Sequence, residues 1–312
     1  MSKSVRKIKG LRIVSLFSGA GGLDLGLIHA GHKIVWAVDN DADSCATYRK
    51  NIGDHIVEMD VEIMDVNEIP DCDVVVGGFP CQGFSLANLN RTVSDDRNRL
   101  YRAFVNVVRD KKPKFFLAEN VRGLLSLGNG VVIEKIVKEF EASGYAVSYR
   151  LYNAADFGVP QNRVRVFIVG RRNDVPEGNF AWPKPSVASK ARRVSIGEAL
   201  VKIPEPDSEH QLKNHVGSAY KVTNRNFTGH RRTDPDKPSP TILARGNGKG
   251  GVCAIQHPRN HRRMTVREQA VIQTFPIDFE FIGNLGSMYR QVGNAVPVKL
   301  ACAFGKSFLK GN

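Results

Sequence analysis

The chain has 312 residues, 42% hydrophobic and 24% charged, enough apolar material for a real core, and no apolar run approaches the roughly 18–20 residues of a membrane helix. A disordered chain and a membrane-spanning helix are therefore excluded. Lys and Arg number 45 against 31 Asp and Glu, a net charge of +14, so the expected partner is a polyanion, nucleic acid first.

The N-terminal MSKSVRKIKG is basic, and the apolar LRIVSLF after it stops at a glycine-rich loop, which predicts a first strand rather than a signal peptide. Leu23 to Ala30 predicts a short helix closed by Gly31. KIVWAV predicts a second strand ending at Asp39, and Ala42 to Asn51 a second helix. DVVVGG and KFFLAEN predict two more strands, with a helix over Arg99 to Asp110 between them. YAVSYRLYNA and VRVFIVG predict a pair of strands. Strand–helix alternation of this kind predicts an α/β fold, a mostly parallel sheet with helices on both faces.

The texture changes after Gly170. Between Arg171 and Phe275 there are 19 Lys and Arg against 9 Asp and Glu, so most of the excess charge lies there, with nine of the 15 prolines. A second, loop-rich region is expected. Helices are expected again over Thr265 to Thr274 and Val296 to Phe308. The five cysteines, Cys45, Cys72, Cys81, Cys253 and Cys302, are odd in number and lack CxxC spacing. That argues against a disulfide framework and against a metal site, and fits a reducing cytoplasm.

Five constellations carry chemistry. FSGAGG, Phe17 to Gly22, follows a strand and opens a helix; its glycines allow a sharp turn and close approach of a ligand, or simply a turn. It is not GxGxxG, so a dinucleotide site is not the natural expectation. Asp39 ends the next strand, where it could accept hydrogen bonds from two ribose hydroxyls or cap a helix. Asp60, after HIVEM, could receive an adenine amino group. GGFPCQGFS sets Cys81 between glycines at a strand edge, a place for a reactive thiol more than for a packed one. ENV brings Glu119 to the next strand edge, and a thiol beside a protonatable carboxyl suits addition to an electron-poor ring. In QNRVRVFIVG, Gln161, Arg163 and Arg165 alternate, so the two arginines share a face, for holding an anion or carbonyl oxygen or as a solvated edge.

In this order the pieces resemble the bacterial-type DNA (cytosine-5-)-methyltransferases, over nearly the whole chain. RRMTVREQAVIQTFP, Arg262 to Pro276, and QVGNAVP, Gln291 to Pro297, resemble that family's last two motifs. The resemblance implies a Rossmann-like S-adenosylmethionine-dependent methyltransferase sheet in residues 1–185 and 286–312, and a smaller target-recognition domain and hinge in residues 186–285. It implies methyl transfer to carbon 5 of a flipped-out cytosine in a short duplex DNA sequence, as part of a restriction-modification system or as an orphan methylase. Cys81 would be the nucleophile, Glu119 the acid at N3, and Arg163 and Arg165 the groups near O2. The cofactor would be held by Phe17, Gly19, Gly21, Gly22, Leu23, Asp39, Asn40, Asp60, Pro80, Leu100, Asn294 and Val296. Two departures stand out: Asp39 where many relatives have Glu, and Asn40 where an apolar stacking side chain is common.

The candidate DNA contacts are Ser85 and Arg97 in the polar segment after Cys81, and Arg225, Arg231, Arg232 and Arg245 in the basic region, with Asn226, His230, Asn247 and Lys249 beside them. The implied partners are double-stranded DNA and, acting separately, a cognate restriction endonuclease; the enzyme is expected to act as a monomer on DNA in the bacterial cytoplasm or nucleoid, with no metal and no membrane. An RNA methyltransferase, which typically carries CFT where this chain has CQGFS, and a catalytically silent DNA-binding relative are the rival expectations.

Overall fold

Three β-branched or aliphatic segments, RIVSL, KIVWAVD and VVVG, set the centre of the sheet in this computed structural model, which describes residues 10–80, 99–217, 233–244, 255–260 and 262–308. They are strands β1 (Arg12–Leu16), β2 (Lys33–Asp39) and β4 (Val74–Gly77). With β3 (Ile56–Glu58), β5 (Phe115–Val121), β6 (Tyr145–Asn153) and β7 (Val164–Arg172) they form one sheet in the order β3-β2-β1-β4-β5-β7-β6. The first five are mutually parallel; β7 runs antiparallel to both β5 and β6. The strand order reverses between β1 and β4, and in open α/β sheets the crevice at the carboxyl ends beside such a switch is where ligands bind.

Helices cover both faces, as the alternation predicts. On one face α1 (Gly22–His29) packs on α8 (Val298–Phe308), burying Leu23, Leu27, Leu300 and Phe304. A side chain on Gly26 would come within 2.3 Å of the Ala301 Cβ, so glycine sets the closeness of this helix pair. The opposite face holds α3 (Arg99–Lys111) and α4 (Val131–Ala142), with Phe104, Val107, Ile136 and Phe140 against Val75 and Phe116. Between β2 and β3 lies α2 (Ala42–Asn51).

The later part of the chain contributes α5 (Ile196–Leu200), α6 (Val266–Ile272) and α7 (Leu285–Asn294). A third apolar cluster joins Ile196, Ile242, Ile255, Met264, Phe275, Phe281 and Tyr289 to Ala20 of the FSGAGG loop and Leu25 of α1. Thr265 and Glu268 form a reciprocal capping box that starts α6.

Two long helices lie outside the expected set. Helix α4 carries clear helical spacing in Ile133, Ile136 and Phe140, but it starts at Gly130, with φ 93° and no side-chain cap, so no polar start signal precedes it. Helix α7 absorbs most of the QVGNAVP segment despite Gly293 inside it. A side chain at Gly293 would meet the backbone nitrogen of Ala244 at 2.4 Å, so glycine is there for close packing rather than for a turn. Helix α8 begins at Val298 rather than Val296.

Candidate active site

The first wall is the loop between β1 and α1. Phe17 at φ 55°, Gly19 at φ 53° and Gly21 at φ 84° all adopt left-handed backbone, which turns the chain sharply off the strand. Their surroundings differ. A side chain on Gly21 would lie 2.2 Å from Ile52 Cδ1, and one on Gly22 would lie 2.6 Å from the Val296 carbonyl oxygen. At Gly19 an added Cβ would meet nothing within 4 Å among the described residues. Gly19 therefore lines open space, a cradle suited to a ligand. At the start of α1 the first N–H groups have no intrahelical acceptor, so the loop presents donors as well as space. Leu23 and Val296, expected as cofactor contacts, bury their side chains in the core. What they can offer a ligand is main chain only.

Asp39 closes this loop from β2. Its Oδ2 accepts the Gly19 N–H at 2.8 Å and its Oδ1 accepts the Asp41 N–H at 2.9 Å. Burial pushes its carboxyl above the usual carboxylate range. The helix cap considered for Asp39 is in fact Asp41, which accepts the Asp43 and Ser44 N–H groups of α2. Asn40 is exposed beside it, and Asp41 pairs with Arg290 at 2.8 Å. Asp60 follows β3 and accepts the Glu62 N–H at 3.0 Å. Pro80 is exposed at the end of the β4 loop, and Leu100 is half-buried at the start of α3. Asn294 is exposed at the end of α7. Asp39, Asn40, Asp60 and Pro80 lie at or just after the carboxyl ends of β2, β3 and β4, whereas Leu100 and Asn294 belong to helices α3 and α7.

The second wall is built by β5 and β7. Glu119 of β5 lies 3.0 Å from Arg165 Nε, with both side chains nearly buried, at 11% and 13% exposure. The contact is an ion pair and not an aligned hydrogen bond: among the described residues Glu119 Oε1 is buried without a hydrogen-bond partner. The other oxygen faces Gly78, where an added Cβ would stand 3.3 Å away. Asn120 contributes a support that the sequence left unassigned, donating to the Phe79 carbonyl at 3.0 Å and so tying the β4 loop to β5. The Glu119–Arg165 pair thus lies against the stretch that leads directly into Cys81.

Arg163 departs from expectation. It is 2% exposed, and its guanidinium donates to the carbonyls of Ile242, Gly293 and Asn294 at 3.1, 3.1 and 3.4 Å. Through Nη1 and Nη2 these bonds make it a clamp between the late segments and the sheet, while its Nε is buried without a hydrogen-bond partner among the described residues; the position is that of a positioning residue rather than a catalytic one. Gln161 belongs to the same clamp: its Oε1 accepts the Ile242 N–H, and its Nε2 donates to Gln273 Oε1 at 2.8 Å. Gln273 in turn donates to the carbonyls of Val292 and Ala295. The β7 strand that follows Arg163 is interior, so a solvated basic edge is also corrected.

Cys81, Ser85, Arg97, Arg225, Asn226, His230, Arg231, Arg232, Arg245, Asn247 and Lys249 lie outside the described residues, as does Cys253. Cys45, Cys72 and Cys302 are free thiols. Burial pushes Cys45 and Cys72 up to about 12, which makes them poor nucleophiles. Among the described residues no group of three or more His, Cys, Asp or Glu could hold a metal ion, and no helix is long and apolar enough to cross a membrane.

Known proteins share this architecture. The fold resembles that of the S. pombe Dnmt2 methyltransferase, with a TM-score of 0.72 at 24% identity over 94% of this chain and 96% of that one. It also resembles the Entamoeba histolytica methyltransferase EhMeth, with a TM-score of 0.71 at 17% identity over 96% and 98%. In sequence the chain is 40% identical to the Type II methyltransferase M.NgoFVII of Neisseria gonorrhoeae, over 96% of this chain and 86% of that protein. It is 39% identical to the Type II methyltransferase M.MthTI of Methanothermobacter thermautotrophicus, over 96% and 97%. The family model for C-5 cytosine-specific DNA methylases matches residues 11–310. With a methyltransferase sheet, a glycine cradle at its switch point and a buried Glu–Arg pair beside it, the chain belongs to the C-5 cytosine-specific DNA methylase family and is a DNA cytosine-5 methyltransferase.

Proposed function

We propose that this enzyme methylates carbon 5 of a flipped-out cytosine in a short duplex DNA sequence, with S-adenosylmethionine as methyl donor and Cys81 as covalent nucleophile. The observation that carries the reading is Glu119: a nearly buried carboxyl at the end of β5, ion-paired through one oxygen to Arg165, with the other oxygen facing Gly78 in the stretch that leads to Cys81. The open space at Gly19 and the carboxyl of Asp39 fit the proposed cofactor. Asp39 would hold its ribose, Asp60 its adenine amino group, and Phe17, Gly21, Gly22, Asn40, Pro80, Leu100 and Asn294 would complete the cradle, with the main chain of Leu23 and Val296. Bound there, the cofactor supplies an electrophilic methyl group.

Carbon 5 of cytosine is a weak nucleophile, and the residues of this chain correct that. The Cys81 thiolate forms a bond to carbon 6, and the electron pair of the 5,6 double bond moves into the ring. Glu119 supplies the proton that N3 takes up and accepts a hydrogen bond from the exocyclic amine. Arg165 fixes the Glu119 carboxyl and places positive charge beside it, where the adduct gains negative charge. After methylation, water removes the carbon 5 proton, the carbon–sulfur bond to Cys81 breaks to release the thiolate, and the N3 proton returns to Glu119, restoring the aromatic ring. The target atom is out of reach inside a duplex, so the base must leave the stack.

Recognition belongs to residues 186–285, where the excess positive charge lies, with phosphate contacts setting affinity and base contacts setting the sequence read. Ser85, Arg97, Arg225, Arg231, Arg232 and Arg245 are the proposed contacts. The Type II names of the relatives favour a restriction-modification setting. A separate cognate endonuclease and a monomeric methylase acting in the cytoplasm belong to the same proposal. Bisulfite sequencing of a plasmid from cells expressing the chain tests the reading. Protection of cytosine at one recurring short sequence is expected; a plasmid converted throughout would contradict it.

A further inference from the structure

Beneath the cofactor loop lies a carboxyl that the reaction does not use. Asp24, in the first turn of α1, has no exposed surface. Its Oδ1 accepts the Ser15 hydroxyl at 2.7 Å and its Oδ2 accepts the Tyr48 hydroxyl at 2.9 Å. Each partner reaches a different end of the loop. Ser18 donates its hydroxyl to the Ser15 Oγ and carbonyl at 3.0 and 3.2 Å, so the Asp24–Ser15 bond fixes the loop's first half. The Tyr48 ring lies directly under Gly21, where an added Cβ would stand 2.9 Å from Tyr48 Cδ2, so the Asp24–Tyr48 bond fixes the second half. The Tyr48 oxygen also meets His55 Nε2 at 3.1 Å, with the two rings edge to face.

Burying a carboxyl costs stability unless every lone pair is matched, and a simple packing position would carry an apolar side chain. Here burial raises the carboxyl to about 6, and the charged group that acts on it is Asp39, of like sign. Among the described residues no cation offsets that cost. What the arrangement gives in return is a loop pinned at both ends around Gly19, whose N–H is presented to Asp39.

We propose that Asp24 is the positioning residue of the cofactor loop: through Ser15 and Tyr48 it holds Ser18 and Gly21 in place, and so sets the cradle's affinity for S-adenosylmethionine without touching it. This rests on the cofactor reading above. An amide can replace the carboxyl, because its oxygen accepts from Ser15, its N–H donates to the Tyr48 oxygen, and Tyr48 can turn its own hydroxyl towards His55 Nε2.

The test is calorimetric titration of the full chain with S-adenosylhomocysteine, alongside steady-state kinetics and DNA binding. Asp24→Ala should raise the dissociation constant by about tenfold or more, the effect of losing two buried hydrogen bonds. The loss should appear in the KM for S-adenosylmethionine, with kcat at saturating cofactor and DNA affinity kept within about threefold. Asp24→Asn should recover most of the affinity. Ser15→Ala, which removes the bond to Asp24 and the Ser18–Ser15 hydroxyl bond but leaves the carboxyl, should raise the dissociation constant by about threefold or more, and it decides the matter if Asp24→Ala does not fold. An unchanged dissociation constant in Asp24→Ala or Ser15→Ala would overturn the proposal. So would a parallel fall of cofactor affinity, kcat and DNA affinity in both Asp24 variants, which marks a general loss of fold. A wild-type chain that binds no S-adenosylhomocysteine would overturn the cofactor reading itself, and this inference with it.

Discussion

Replacing Arg163 separates a clamp from a catalytic group. Its guanidinium makes three hydrogen bonds to buried carbonyls of Ile242, Gly293 and Asn294. Arg163→Ala leaves those oxygens without donors and opens a cavity at a fully buried position. Removing a partner from a buried charged network costs about 3–5 kcal/mol, and at about 2–4 °C per kcal/mol for a chain of this size the melting temperature should fall by roughly 6 °C or more. Arg165→Ala should behave differently. Among the described residues its side chain meets Glu119 and the Val164 carbonyl, so its loss leaves a nearly buried carboxyl unpaired: turnover should fall about 100-fold or more, with a fall in melting temperature that Arg165→Lys, which keeps the charge, largely restores. Thermal denaturation and single-turnover methylation on the same preparations give both quantities. An Arg163→Ala protein that melts like wild type but has lost the chemical step would refute the clamp and return Arg163 to the reacting base.

Asp39→Ala should weaken S-adenosylhomocysteine binding by at least about tenfold in calorimetry with DNA affinity retained, since it removes the anchor of the Gly19 N–H together with the proposed ribose contact. Asp24 gives a pH dependence with a defined sign. Burial raises its folded pKa to about 6 from the ordinary 3.8 of an aspartate, so the folded state holds the proton more tightly, and this contribution to stability is fully present below about 4 and lost as pH rises through about 6. Relative to Asp24→Asn, wild type should therefore lose up to about 3 kcal/mol across that window, seen as a melting-temperature difference that widens from pH 4 to 6.5. Cys45 and Cys72, held up to about 12 by burial, should resist iodoacetamide at pH 7.5 in the native protein, as followed by peptide mass spectrometry.

Much of the architecture is written locally. The strands carry unbroken apolar bodies, and FSGAGG marks the switch point because only glycine or a strained residue accepts left-handed backbone there. Glu119 is legible as the polar end of an apolar strand. Helix α4 is harder, because Gly130 replaces the polar cap that announces a helix, and α7 is masked by Gly293, whose small size answers to a segment about fifty residues earlier. Arg163 could not be told from Arg165 by alternation alone. The two do share a face, but the carbonyls that claim Arg163 come from residues 79 to 131 positions away in sequence. The same holds for Gln161 and Gln273, whose contact joins segments 112 residues apart. Side-chain function follows local pattern where the partner is the adjacent strand, and escapes it where the partner is a distant main chain.

The central claim is a covalent bond between Cys81 and carbon 6 of a target cytosine. Incubating the enzyme and S-adenosylmethionine with duplex DNA carrying 5-fluorocytosine at the methylated position blocks release of the carbon 5 substituent, so the adduct should accumulate. Intact-mass measurement should show one DNA strand plus one methyl group joined to the chain, with peptide mapping placing the bond at Cys81 and Cys81→Ser giving none. A Cys81→Ser protein that still traps the DNA, or a wild-type protein that methylates the site yet never forms the adduct, would contradict the account.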